Sequence, residues 1–239
     1  RHYSFFDIGQ DHFYEDAEVN RTILDKVAQK CYLPMNELLL KMIRRWEGRF
    51  RVAFSLSGTA MDQFEEYQPE ILDSFRTLVD TGCVELLSET YAHSLAALYD
   101  PDEFRAQVAL HDELIKKHFG ATPRVFRNTE LIYRNDIARM VEDMGYEAIL
   151  TEGADHILGW RSPNYMYQPS SCTKLKLLLK NYRLSDDIAF RFSNRGWDQW
   201  PLTAEKFAGW AHAVNGAGEL INLFMDYETF GEHQWAETG

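Results

Sequence analysis

The sequence predicts an α/β fold built on a parallel sheet, either open or closed into a barrel. Short apolar runs alternate along the chain with longer stretches in which apolar residues recur at helical spacing. A helix between successive strands is typical of parallel strands joined by crossover connections. No internal repeat, linker or low-complexity run is evident, so we expect one domain over residues 1–239, taken from a longer protein.

Six strands are expected, each ended by polar or glycine residues. They are residues 51–57, 83–88, 124–129, 147–151, 175–179 and 220–225. Helix signals lie between them. Asp100 is a predicted N-cap followed by Pro101 at the first helical position, and an apolar stripe from Ile137 to Met144 closes at Gly145. A helical pattern over residues 16–45, interrupted at Pro34, precedes the first strand.

The charge balance argues against two classes of partner. The chain has 25 Lys and Arg against 37 Asp and Glu, which gives a formal net charge of -12. This charge would repel nucleic acid and anionic membranes, so we expect neither as a partner. No apolar run approaches the ~20 residues of a membrane helix. The three cysteines, Cys31, Cys83 and Cys172, are far apart and favour a reducing compartment, so we expect a cytoplasmic protein.

Two predicted strands end in carboxylates. Residues 220–225 lead into Asp226 and Glu228, and residues 124–129 lead into Glu130. In parallel α/β proteins, catalytic residues lie at the carboxyl ends of the strands. Asp226 could also simply cap a following helix. Two acids from two strands are the minimum that a glycoside hydrolase needs, and a separation of about 5–5.5 Å would give a retaining reaction. The pattern leaves open which acid plays which part.

Other polar and aromatic residues are candidates for contacts with a sugar. Glu85 and His93 belong to or follow the second strand, and Tyr91 lies between them in the same loop. A long aromatic loop over residues 153–169 contains Trp160, and the end of the chain adds His233 and Trp235. Four residues near the start, His2, Asp7, Asp11 and His12, match no metal-ligand spacing. We therefore expect no metal and no cofactor.

Three ordered motifs resemble a known family. Residues 84–93 (VELLSETYAH), 126–133 (FRNTELIY) and 225–233 (MDYETFGEH) resemble the second, third and fourth sequence regions of glycoside hydrolase family 57. Residues 153–163 resemble a loop of its amylase-like members. The resemblance implies an incomplete (β/α)7 barrel that acts on α-1,4-glucans or maltooligosaccharides by a retaining mechanism. Glu130 would then be the nucleophile, Asp226 the acid/base, and Glu85, Tyr91, His93, Trp160, Glu228 and His233 substrate-site residues.

The chain departs from the family pattern in three places. The first region, a His-Gln-Pro motif on the first strand, and the fifth, helical region are absent, so we expect the first strand to lie upstream of Arg1. The aromatic residue that often stands three positions before the nucleophile is replaced by Arg127. The sugar contact at that place is therefore unassigned.

Several functions stay open at this point. Within the family, a 4-α-glucanotransferase or a branching enzyme would use the same covalent intermediate as an α-amylase. A metal-dependent polysaccharide deacetylase would need an Asp and a His-x-x-x-His pair, but Glu89 stands where the first histidine would be. A zinc-dependent mannosidase-like enzyme would need His and Asp clusters. A catalytically silent carbohydrate-binding barrel would keep the fold without turnover. The oligomeric state is not indicated.

Overall fold

A computed structural model describes residues 16–234 of the chain. Trp235 and the four histidine and aspartate residues near the start lie outside the described residues. The strands within this range are β1 (Val52–Ser55), β2 (Val84–Leu87), β3 (Val125–Arg127), β4 (Ala148–Glu152) and β5 (Lys176–Lys180).

All five strands are parallel and adjacent in chain order. β1 pairs with β2, and β3 pairs with β4 and β4 with β5. A parallel bridge between Ser88 and Phe126 joins β2 to β3, with Ser88 accepting from the Arg127 amide at 2.8 Å. The carboxyl ends of β1, β2 and β3 therefore meet at one edge, where the loops carry the predicted site residues.

Helices lie between the strands as the alternating pattern predicts. They are α1 (Ala17–Val27), α2 (Leu33–Arg45), α3 (Gly58–Tyr67), α4 (Pro69–Val79), α5 (Ala96–Tyr99), α6 (Pro101–Phe119), α7 (Asn135–Asp143), α8 (Asp155–Leu158), α9 (Tyr182–Ala189) and α10 (Ala204–His212). The predicted N-cap is present, because the Asp100 carboxylate accepts from the amides of Asp102 and Glu103. The long aromatic loop is not wholly irregular, since it contains α8.

The predicted interruption at Pro34 takes the form of a π-helical turn. Residues Ala28–Tyr32 form this turn between α1 and α2, and Pro34 stands in the first turn of α2. Proline is tolerated there because the first amides of a helix have no intrahelical partner. The helical path therefore continues through the proline, with one wider turn placed next to the strand tips.

The prediction of a sixth strand over residues 220–225 was wrong. Residues 220–225 make one parallel bridge, between Asn222 and Lys180, and no strand of their own among the described residues. Side chains interrupt the ladder: the Asn222 amide group donates to the Leu179 carbonyl at 3.0 Å, and the Phe224 amide donates to the Ser185 hydroxyl at 3.2 Å. The apolar run therefore continues the sheet at a single position.

Two apolar clusters support the sheet. One packs β1 and β2 against α2, α3 and α4, with Phe75 and Ile71 fully buried. The other packs β3 and β4 against α6 and α7 around Phe104, Phe126 and Ile149. Across residues 16–234, no helix is both long and apolar enough to cross a membrane.

Candidate active site

Four of the predicted site residues meet at one cavity. The cavity has a volume of about 690 Å³, runs along β1, and reaches the loops that follow β2 and β3. Residues 223–228 form another part of its lining. Glu130, Asp226, His93 and Glu228 all belong to this lining. The side chains of Glu130 and Asp226, which are 96 positions apart in the sequence, therefore line the same cavity.

Glu130 stands in a strained turn at the end of β3. It lies in the 3₁₀ turn Thr129–Leu131 with φ 53° and ψ 23°, and Leu131 also has a positive φ of 55°. Left-handed backbone is uncommon in residues other than glycine and costs of order 1 kcal/mol or more, and such strain concentrates at functional sites. The Asn128 side chain helps to hold the turn by donating to the Ile132 carbonyl at 2.9 Å.

The Glu130 side chain lines the cavity and, among the residues that the structure describes, is hydrogen-bonded with His93. It is 71% exposed, and its Oε1 lies 3.0 Å from His93 Nε2. His93 also has a left-handed backbone, with φ 51°. Both partners of this hydrogen bond are therefore held in backbone conformations that side-chain-bearing residues rarely adopt.

A buried carboxylate lies behind His93. Glu89 is only 1% exposed, and its Oε2 lies 3.2 Å from His93 Nδ1. The hydroxyl of Ser55, the last residue of β1, donates to Glu89 Oε1 at 2.6 Å. A hydrogen-bonded chain thus runs from Ser55 through Glu89 and His93 to Glu130, across the tips of three neighbouring strands.

The protonation states of this chain depend on one another. Burial would raise the pKa of Glu89, but the hydrogen bonds with His93 and Ser55 and the charge of Arg127 together hold that pKa below its usual value. The hydrogen bond to Glu89 raises the pKa of His93, against burial and with a further contribution from Glu130. The hydrogen bond with His93 lowers the pKa of Glu130. The arrangement favours two carboxylates with an imidazolium between them.

Arg127 lies under the same group. Its Nη1 is 3.6 Å from Glu89 Oε2 and 3.1 Å from His93 Nδ1, and its side chain is 11% exposed. The guanidinium carbon is 5.2 Å from the centroid of the Phe224 ring, two residues before Asp226. Arg127 stands where the family resemblance suggested an aromatic residue, and here it places a cation beside a buried carboxylate.

Asp226 differs from Glu130 in its backbone conformation and in the contacts of its side chain. It is exposed, in extended backbone immediately before the 3₁₀ turn Tyr227–Thr229. Within the described chain its side chain makes no capping hydrogen bond to that turn, so the simple capping role is not realised. Its carboxylate stays available to the cavity that it lines.

The residue after Asp226 anchors its loop in the core. The Tyr227 ring lies 5.1 Å from the Phe54 ring and 6.1 Å from the Phe75 ring, and it stacks on Tyr32 at 6.1 Å. Its hydroxyl donates to Asn36 Oδ1 at 2.6 Å. Aromatic contacts of this kind stabilise beyond the area they bury. They fix the backbone next to Asp226 without involving its carboxylate.

The π-helical turn holds the same loop from the other side. The Cys31 thiol donates to the Tyr227 carbonyl at 3.1 Å, and the Tyr32 hydroxyl donates to Glu228 Oε1. Gly231 has a φ of 122°, and a Cβ at this position would collide with the Lys30 carbonyl oxygen. Turns of the π type are frequent at functional sites. Here the turn makes close backbone and side-chain contacts with the loop that carries Asp226.

Four other predicted residues lie outside the lining of this cavity, as far as the described chain shows. Glu85, in β2, has its Oε1 3.4 Å from Nη2 of Arg124, which precedes β3. The Tyr91 hydroxyl donates to Asp62, which fastens the loop after β2 to α3. Both residues have structural partners, and their predicted contacts with substrate are untested.

Trp160 and His233 are also away from the cavity. Trp160 is 94% exposed at the end of α8. His233 is exposed, and its backbone amide donates to the Glu228 carbonyl at 2.9 Å. Their roles in binding stay predictions.

The sequence did not assign a site role to Ser55, Glu89, Arg127 or Tyr32. Arg127 drew notice only because it stood where another residue type was expected, and Glu89 was noted for that reason and for its spacing from His93, without a role of its own. A carboxylate four residues before His93, at a strand end, is a signal that could have found Glu89. Tyr32 lies 196 positions from Glu228, and no local pattern connects them.

Comparison with known proteins agrees with the family suggested by the motifs. Residues 5–239 match the model of Glycosyl hydrolase family 57. A Methanocaldococcus jannaschii protein named "Putative alpha-amylase" is 52% identical over 227 residues, which are 95% of this chain and 47% of that protein. The chain therefore spans about half the length of this curated relative.

Solved structures show the same fold at low sequence identity. The 4-alpha-glucanotransferase of Thermococcus litoralis has a TM-score of 0.69 at 16% identity over 91% of this chain and 33% of that chain. The GH57-type branching enzyme of Pyrococcus horikoshii has a TM-score of 0.69 at 15% identity over 91% of this chain and 62% of that chain. The predicted α/β fold of the (β/α)7 type is confirmed, and the chain belongs to glycosyl hydrolase family 57.

Proposed function

We propose that the protein is a retaining, α-amylase-like hydrolase of α-1,4-glucans, in which Glu130 is the nucleophile and Asp226 the acid/base. The observation that carries this proposal is that both carboxylates line one cavity. Family membership and the name of the M. jannaschii relative support the substrate class. The chain corresponds to 47% of that relative, so the proposal concerns the activity of the full-length protein.

The first step would form a bond between Glu130 and the sugar. One oxygen of the Glu130 carboxylate attacks the anomeric carbon as the glycosidic C–O bond breaks. The electron pair of that bond goes to the leaving oxygen, which takes the proton of Asp226. The products are a glycosyl ester on Glu130, an ionised Asp226 and the released end of the glucan.

The second step would restore the enzyme. Asp226 takes a proton from an incoming hydroxyl, whose oxygen attacks the anomeric carbon and displaces the Glu130 carboxylate. Two inversions leave the anomeric configuration unchanged. Water as acceptor gives hydrolysis, whereas a sugar hydroxyl gives the transfer chemistry of a 4-α-glucanotransferase or branching enzyme. Glu228 and His93, which line the same cavity, are placed to contact sugar hydroxyls.

The position of Glu89 bears on the deacetylase alternative. That reaction needs a histidine at this place to hold a metal. The carboxylate found there is buried and hydrogen-bonded with Ser55 and His93. These contacts tie it to the nucleophile side of the cavity and favour the glycosidase.

The test uses the full-length protein with maltooligosaccharides. Glu130→Gln should reduce turnover to background, and Asp226→Asn should reduce it by about 10²–10⁴-fold, with both variants folded by circular dichroism. Proton NMR during early hydrolysis should show products of α configuration. Near-normal turnover in either variant, or β products, would remove the assigned roles.

Two further measurements separate the alternatives. Product chain lengths report whether water or sugar is the preferred acceptor. Glucan binding, measured on the same preparation, identifies a silent binding protein if binding is tight and wild-type turnover is absent.

A further inference from the structure

We propose that Glu89 is a positioning residue, which acts through His93 to set the orientation and charge of the Glu130 carboxylate. This inference deepens the proposed function and rests on it. It concerns a residue that lines the same cavity but is only 1% exposed, so we infer that it acts through its hydrogen-bond partners.

The burial of Glu89 argues for a specific role. Burying an ionised carboxylate away from water costs free energy unless charged or hydrogen-bonding groups compensate for the lost hydration. Glu89 has such groups: Ser55 at 2.6 Å, His93 at 3.2 Å and Arg127 at 3.6 Å. Its backbone amide also lies 3.5 Å from Nδ1 of the buried His111. The side chain thus has three partners, and one of them, His93, connects it to Glu130.

The geometry of His93 indicates its charge. Both of its ring nitrogens face carboxylate oxygens, Glu89 Oε2 at 3.2 Å and Glu130 Oε1 at 3.0 Å. An imidazolium donates to both, whereas a neutral ring protonated on Nε2 would donate to Glu130 and turn its Nδ1 lone pair toward both Glu89 Oε2 and Arg127 Nη1, which lies 3.1 Å away. Within residues 16–234, the charged groups around the ring are Glu89, Glu130 and Arg127. Two carboxylates outweigh one guanidinium, and the pKa of His93 is raised, first by Glu89.

This charge has a consequence for Glu130. A donor on Oε1 fixes the plane of the carboxylate and leaves Oε2 free to attack. The imidazolium also favours the ionised form, so the pKa of Glu130 is lowered. The same contact stabilises the carboxylate that leaves in the second step. Without the charge on Glu89 the pKa of His93 would fall, so the imidazolium that holds Glu130 would lose its proton at lower pH.

The test is Glu89→Gln in the full-length protein. Glutamine keeps the shape, its carbonyl can accept from Ser55, and its amide can donate to His93 Nδ1. We expect the basic limb of the kcat/KM profile, on which the His93 imidazolium loses its proton, to move down by about half a unit to one unit, a discounted value because His93 is partly exposed. Glu65→Gln is the matched control. Its carboxylate lies 2.9 Å from the Lys117 ammonium and 3.7 Å from His118, away from the cavity.

Glu89→Asp is a second variant, which keeps the inference testable if Glu89→Gln does not fold. It keeps the buried charge and withdraws the oxygens by one methylene, so we expect a smaller movement of the basic limb than for Glu89→Gln. If the profiles of both variants superimpose on the wild type, Glu89 does not act on Glu130 and the inference is overturned.

A titration of His93 by NMR separates this inference from the proposed function. In the wild type both ring nitrogens should carry protons at about pH 6, below the ordinary pKa of histidine, and in Glu89→Gln the His93 pKa should fall. An unchanged His93 titration would overturn the positioning role even if glucan turnover is normal. The predicted fall, found in a protein that turns over no glucan, would support the coupling of Glu89 to His93 and count against the proposed activity.

Discussion

Glu130 and Asp226 reach the same cavity with two different kinds of support. The Glu130 carboxylate is held directly by a charged chain through His93 and Glu89. Asp226 is held indirectly. The residue after it, Tyr227, packs among aromatic rings, and its carbonyl accepts a hydrogen bond from Cys31 in the π-helical turn. One side of the site is thus organised by charge and the other by packing.

The difference fits the chemistry proposed for each acid. A nucleophile has to stay ionised and keep one oxygen aimed, and a charged hydrogen-bond donor supplies both. An acid/base has to exchange a proton twice in each turnover, and a permanent ionic partner would oppose one of the two states. Support through the neighbouring backbone fixes the position of Asp226 and does not involve its carboxylate.

The largest expected effect comes from removing the aromatic support. Tyr227→Ala should lower the free energy of unfolding by about 3 kcal/mol, because it empties a site packed between Phe54, Phe75 and Tyr32. Turnover should fall as Asp226 loses its fixed position. Chemical denaturation and kinetics on one preparation measure both. Tyr99→Ala is the control, since Tyr99 is 82% exposed and its loss should change stability by less than about 0.5 kcal/mol. Equal losses in the two variants would contradict the packing role.

The next effect tests the contact between the loop and the π-helical turn. Gly231→Ala should cost about 2 kcal/mol and lower kcat, because the new Cβ meets the Lys30 carbonyl and the backbone is left-handed. Gly216→Ala shares the left-handed φ, 85°, but has nothing within 4 Å of the new Cβ. It should cost only about 1 kcal/mol and leave kcat unchanged. If both variants keep normal kcat, the turn does not position Asp226.

The pH dependence of stability separates the two kinds of support. The pKa of Glu89 is lowered from 4.5, so its stabilisation is fully present above that value and is lost as the pH falls through the folded pKa. The pKa of His93 is raised from 6.5, so its contribution is fully present below that value and is lost as the pH rises through the folded pKa. The charged chain should therefore stabilise most between about pH 4.5 and 6.5.

The measurement is the difference in unfolding free energy between the wild type and Glu89→Gln across this range. We expect a maximum of about 1 kcal/mol inside the window and smaller values on both sides. Tyr227→Phe, which removes only the hydroxyl bonded to Asn36, should give a flat difference of about 1 kcal/mol. A flat profile for Glu89→Gln would show that charge is not what holds the nucleophile side.

The smallest effect concerns the Cys31 thiol. Burial, with the nearby charges of Glu228 and Glu232, raises its pKa to about 12, and the thiolate is the reactive form. Cys31 should therefore resist a thiol reagent in the native protein at pH 8 and react after unfolding. Mass spectrometry of the labelled peptides measures this. Rapid native labelling at Cys31 would mean that the π-helical turn opens away from Tyr227.

Much of the strand framework could be predicted, because a buried parallel strand and an amphipathic helix each leave a local pattern. Five strands lie within the predicted runs or within one residue of them, and the Asp100 cap was readable from its own sequence. The sixth strand was not, since residues 220–225 are apolar enough for a strand, but the Asn222 side chain donates to the Leu179 carbonyl and the Phe224 amide donates to the Ser185 hydroxyl. Periodicity does not report such competition.

The site was predictable only where a carboxylate follows an apolar run. Glu130 and Asp226 carry that signal, but the groups that hold them do not. The contact of Tyr32 with Glu228 depends on a π-helical turn that no propensity indicates, and the burial of Glu89 depends on Ser55 from another strand. Long-range packing sets these contacts, and one sequence does not specify it locally.

Trapping the covalent intermediate tests the central claim most directly. The full-length protein would be incubated with a maltooligosaccharyl fluoride carrying a second fluorine on the reacting sugar ring, which slows release of the ester, and then digested for mass spectrometry. The account predicts one glycosyl group on the peptide that contains Glu130, and none in Glu130→Gln. A glycosyl group on another carboxylate, or retained turnover of glucan in Glu130→Gln, would contradict it.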